Sequence, residues 1–112
     1  MSALIGVQNG SVYLSADVVD RYFRAIDAVV VLMRDGDLQI LPVRQMASGG
    51  CLLKVRNAAG DRVAAASDVF AANELLHWSD EALEAHWSSE HGALLAKLPN
   101  ESKALSKLLS VR

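Results

Sequence analysis

Three histidines, His77, His86 and His91, fall within fifteen residues, with Glu90 beside His91, and imidazole next to carboxylate is the donor set of a metal centre or a general base. Their spacing argues against both. His86 and His91 are five apart, which does not place two imidazoles on one face of a regular helix, and neither a His-Glu-x-x-His nor a Cys-x-x-Cys pattern accompanies them. The sequence therefore predicts no metal and no cofactor. Serines are present, but none stands in a Gly-x-Ser-x-Gly elbow, and no histidine has a recognised spacing to a nucleophile, so no catalytic residue is assigned. Asp35 and Asp37 flank Gly36 and are explained by turn chemistry. Gly49 and Gly50 lack the Lys-Ser/Thr of a phosphate loop and precede a strand pattern, which reads as a connector over Gln45–Gly50. Cys51 is the single cysteine and lies on an apolar row, so it reads as a small buried hydrophobe in a reducing compartment.

Cations give the remaining candidate. Arg44, Lys54, Arg56 and Arg62 cluster in a chain whose formal net charge is −2, and Lys54, Arg56 and Arg62 are expected to point away from the apolar row Cys51, Leu53 and Val55, continued by Val63 and Ala65. They form the candidate anion-binding face. Further along, an acidic block from Asp68 to Glu90 precedes a basic tail carrying Lys97, Lys103, Lys107 and Arg112, a pattern that reads as solvated surface.

Two hairpins must position these groups. Val29–Met33 and Leu38–Val43 flank Arg34-Asp35-Gly36-Asp37, in which Asp-Gly supplies the positive φ angles of a type I′ turn. That turn sets the register: Arg34 faces Asp37, Met33 faces Leu38, Val31 faces Ile40 and Val30 faces Leu41. Both faces are then apolar, one through Val29, Val31, Met33, Leu38 and Ile40, the other through Val30, Leu32 and Leu41, relieved mainly by Gln39. A hairpin wetted on one side alternates with polar residues, so Val30, Leu32 and Leu41 are assigned to an interface, most simply that of a homodimer. The second hairpin pairs Cys51–Arg56 with Asp61–Ala65 across Asn57-Ala58-Ala59-Gly60.

Short strands are expected on either side of Asn9-Gly10, then a helix over Ala16–Ala25 capped by Ser15 and a second over Asp68–Leu76 capped by Ser67. Pro42 is expected at a strand end or edge. Residues Ser79 to Leu98 admit two readings. Their Ala, Leu and Glu content favours a helix starting at Asp80, whereas Leu83, Ala85 and Trp87 also alternate as a strand that turns at Ser88–Gly92 and returns over Ala93–Leu98. The helix is the reading adopted. Residues Asn100 to Arg112 carry Ala104, Leu105, Leu108 and Leu109 as an apolar stripe and predict a terminal amphipathic helix.

With 112 residues, 52% hydrophobic and 21% charged, the chain reads as one globular domain, residues 1–112, that buries roughly two thirds of its unfolded surface. No signal-peptide pattern and no apolar window of about 20 residues occurs, which predicts a cytoplasmic protein without a membrane partner. The fold class expected is α+β, a small antiparallel sheet of hairpins packed with short helices and the terminal helix.

The order Val12-Tyr13-Leu14-Ser15, short helix, Val29–Met33, Asp35-Gly36 and Leu38–Val43 resembles the strand, helix and hairpin of AbrB-like swapped-hairpin domains over about residues 11–43. That resemblance implies an intertwined dimer and DNA binding through basic residues. Here Arg21, Arg24 and Arg34 are outnumbered by Asp17, Asp20, Asp27, Asp35 and Asp37, which disfavours phosphate neutralisation and makes nucleic acid an unlikely partner. The leading expectation is a non-catalytic accessory or regulatory protein acting through protein–protein contact. An anionic-ligand or nucleic-acid-binding regulator comes second, and a small enzyme using the histidine region third.

Overall fold

A computed structural model describes residues 2–44 and 50–99. Within them, strands β1 (Ser2–Gln8), β2 (Ser11–Leu14), β3 (Ala28–Arg34), β4 (Asp37–Val43), β5 (Gly50–Val55), β6 (Arg62–Ala65), β7 (Asp80–Ser88) and β8 (Ala93–Lys97) close into an antiparallel barrel ordered β1-β2-β6-β5-β3-β4-β8-β7. Helix α1 (Ala16–Tyr22) links β2 to β3, and α2 (Ser67–Ala72) precedes β7. The fold is therefore mostly β, which corrects the expected α+β arrangement of hairpins and helices. The expected terminal helix, residues 100–112, lies outside the described residues.

The largest correction falls on residues 80–97, which form β7 and β8 in place of a helix. Their local composition favours helix, but β1 and β4 would otherwise each end the sheet with unpaired N–H and C=O groups, and β7 and β8 satisfy both edges. Period-two alternation then decides orientation. Ala85 is 1% exposed and Leu83 and Trp87 pack on the core, while Glu84 and His86 face out. β8 returns with Leu94 and Ala96 inward.

The first hairpin forms in the expected register, from Ala28 opposite Val43 to Arg34 opposite Asp37, with Asp35 at φ 56° and Gly36 at φ 81°. Asn9 and Gly10 repeat that turn between β1 and β2, at φ 49° and 81°. Gly10 is also fixed by space, since a Cβ there would lie 2.7 Å from Ser67 Cα. Pro42 sits in β4 beyond Ile40, the last residue paired with β8, where its missing N–H costs nothing to that ladder.

The barrel is filled by Ile5, Val7, Val12, Leu14, Val29, Val31, Leu38, Ile40, Leu53 and Leu94. Val18 and Phe23, in and just after α1, join this core from one mouth, and Phe70 of α2 joins it with Leu75, Leu76 and Trp78 packed alongside. Helix α1 begins as expected, with Ser15 Oγ accepting from Val18 N–H at 3.4 Å, but stops at Tyr22 instead of Ala25 because the chain turns through Ala25 at φ 58°. Helix α2 is shorter than the Asp68–Leu76 expected, and Ser67 is its first residue rather than its cap.

Candidate functional site

The second hairpin forms with Gly60 at φ 99°, but its register corrects the expected side-chain rows. Leu53 faces Ala64, so Ala64 lies inward, and Val63 and Ala65 belong to the outer face. Arg62 shares the inward parity of Ala64 at the barrel mouth, where its guanidinium donates to the Leu53 carbonyl at 2.9 Å. Lys54 stands opposite Val63 on the outer face and is exposed. Arg56 crosses to Tyr13 of β2 and stacks 4.8 Å from its ring centroid, a cation–π contact. Arg44 is exposed just past β4, on the far side of β3 from β5. Lys54, Arg56 and Arg62 are thus brought to the hairpin of neighbouring strands β5 and β6, Arg44 stands apart beyond β3, and the four do not converge on one point.

Acids interleave with them. Asp61 binds the turn to α1: its Oδ1 accepts from Ala16 N–H at 2.8 Å and its Oδ2 from the Asn57 amide at 2.9 Å. Those hydrogen bonds, Asn57 first and Ala16 second, hold its carboxyl below the usual carboxylate range, with a smaller contribution from the Arg56 charge. Across the barrel wall, β1 and β7 slip register between Ile5 and Val7, so Glu81 and Ala82 bulge opposite Gly6. Gly6 has no side chain to fill the space. The result is a cleft of about 290 Å³ lined by Gly6, Gln8, Tyr13, Arg56, Asp80 and Glu81, with an adjoining hollow of about 190 Å³ that shares Gly6, Tyr13, Arg56 and Glu81 and reaches Leu4. The only trace of this cleft in the sequence is a glycine inside a strand pattern.

The histidines stay apart from it. His77 follows α2, His86 projects outward from β7, and His91 sits in the β7–β8 loop with its Nδ1 2.9 Å from Ser88 Oγ, all three exposed. Among the described residues no three His, Cys, Asp or Glu side chains converge as metal ligands. Cys51 is half-buried against the core, and burial, followed by the Asp68 charge, pushes its thiol upward, away from the thiolate that a nucleophile needs.

A second surface lies on the outer wall of the first hairpin. Val30, Leu32 and Leu41 all project outward there and are half-buried. Leu52, which faces Ala28 across the β3–β5 ladder, extends the patch and is 52% exposed. Gln39, expected to relieve this face as a polar group, is instead 4% exposed between Leu32 and Leu95. Among the described residues no helix is long and apolar enough to cross a membrane. The chain matches no protein-family model, no curated protein and no solved structure.

Proposed function

We propose that the protein is a non-catalytic accessory or regulatory domain of the cytoplasm that acts by protein–protein contact, and first by pairing with a second copy of itself through the outer face of β3 and β4. The observation that supports this reading is the outward row of Val30, Leu32 and Leu41, enlarged by Leu52 on β5. A barrel packs its interior with one face of each strand and leaves the other to solvent, so outward positions are ordinarily polar. Four aliphatic side chains side by side depart from that rule. Because a two-fold axis sets one copy's patch against the same patch, the partner surface needs no separate design.

The energetics suit a reversible dimer. Three of the side chains are already half-buried, so covering what remains of all four is worth roughly 1 kcal/mol each, or roughly 8 kcal/mol over two copies. Association itself costs about 4 kcal/mol or more, which leaves about 4 kcal/mol at most and a dissociation constant of about 1 mM, a weak and concentration-dependent pairing. Sedimentation equilibrium from ~0.1 to ~3 mM tests this, the upper end lying above a dissociation constant of about 1 mM. The expected result is a rising weight-average mass that Leu41→Lys abolishes. A wild-type chain that stays monomeric at the highest concentration overturns the reading.

A further inference from the structure

We propose that the cleft over Gly6 is a binding site for a small zwitterion of amino-acid size, whose carboxylate meets Arg56 and whose ammonium meets Glu81. Four charged groups line this cleft and the adjoining hollow, Arg56, Asp61, Asp80 and Glu81, and the two aspartates are already engaged. Both carboxylate oxygens of Asp61 accept protein hydrogen bonds, and Asp80 Oδ1 accepts from Ala82 N–H at 3.0 Å within the bulge. Arg56 and Glu81 are left, one of each sign, and among the described residues the only ion pair within 4.0 Å is Asp20–Arg24. Stacking on Tyr13 fixes the guanidinium without neutralising it.

Charge and size narrow the ligand class. A simple anion would meet Asp61, Asp80 and Glu81 around a single guanidinium, and a simple cation would meet Arg56, so only a molecule carrying both signs is complementary at both ends. At about 290 Å³ the cleft stands at the lower limit for ligand pockets, which suits a free amino acid and not a nucleotide. Leu4, 59% exposed and lining the adjoining hollow, offers contact for an aliphatic side chain. Gly6 keeps the floor open: a Cβ there would lie 3.3 Å from Tyr13 Cβ and 3.9 Å from the Asp80 carbonyl oxygen.

The test is a titration of the ¹⁵N-labelled full-length chain with L-leucine, N-acetyl-L-leucine and L-leucinamide, followed by amide chemical shifts. Leucine is expected to give saturable shifts at Gly6, Tyr13 and Glu81, while the two blocked forms, each lacking one charge, give none in the same range. Arg56→Gln and Glu81→Gln, both at exposed positions and so expected to preserve the spectrum elsewhere, should each weaken leucine binding about tenfold or more. Absence of saturable shifts with leucine up to ~10 mM, a concentration that reveals even millimolar affinity, overturns the proposal. So does equal binding of either blocked form.

Discussion

Ala85 separates the barrel from the helix that local composition favours over residues 80–97. In β7 its Cβ points inward between Ala3 on β1 and Ala96 on β8, and it is 1% exposed. On a helix whose buried face held Leu83 and Trp87, position 85 would lie roughly 200° from Leu83, on the solvated side. Ala85→Lys therefore costs little in the helix and several kcal/mol in the barrel, where a charge and three further methylenes enter a packed layer. Total stability for a domain of this size is about 5–15 kcal/mol, so the variant should be unfolded or close to it. Ala85→Val gives a graded reading: two added methyl groups against this wall should cost about 1–3 kcal/mol. His86→Lys, one residue on and facing out, should stay within about 0.5 kcal/mol of wild type. Urea denaturation followed by circular dichroism measures all three. Wild-type stability in Ala85→Lys, or a loss in His86→Lys equal to that in Ala85→Val, would refute the period-two placement of β7.

Three further outcomes follow from named contacts. Leu41→Lys should yield a folded monomer, seen as an unchanged circular dichroism spectrum with a mass of one chain by light scattering at ~3 mM, where the wild type is mostly paired. Ala25→Gly should stabilise the protein by about 0.5–1 kcal/mol, because φ 58° is strained for alanine and free for glycine, and thermal melting should rise by a few degrees. Asp61 has its folded-state acidity strengthened, so its contribution is complete above the ordinary carboxylate value of about 4 and is lost as pH falls through its lower folded value. Asp61→Asn should accordingly lower stability at pH 7 and flatten the acid limb of the stability curve, read by urea midpoints from pH 7 down to about pH 2.

Much of the hairpin architecture was legible because turn chemistry is local. Asp35-Gly36 fixed the β3–β4 register residue by residue, and Asn9-Gly10 marked β1–β2, since those dipeptides meet the positive φ angles with little strain. Barrel closure was not legible, because what makes residues 80–97 two strands is the need of β1 and β4 for partners far away in sequence. Helix propensity differs by only tenths of a kcal/mol per residue among these types, less than a ladder of hydrogen bonds with an inward row of side chains supplies. The β5–β6 rows went astray for a smaller reason. The loop Asn57–Gly60 places Val55 opposite Arg62, which sends Ala64 inward and Val63 outward. The cleft was invisible for a third reason: it depends on a bulge in β7 coinciding with Gly6 on β1, and nothing at either position alone announces it. By contrast, the two-faced composition of the first hairpin was plain in the sequence, and its outward row leads to the proposed function.

Pairing through the outer wall of β3 and β4 is the central proposal, and mixed-label nuclear Overhauser spectroscopy tests it most directly. A sample prepared from equal amounts of ¹³C-methyl-labelled and unlabelled chain, unfolded together and refolded, reports only contacts between different copies. Intermolecular cross-peaks are expected from the Val30, Leu32, Leu41 and Leu52 methyls, and none from buried Val31 or Leu38. Cross-peaks confined to other residues, or none at ~3 mM while the spectrum shows a folded chain, would contradict it.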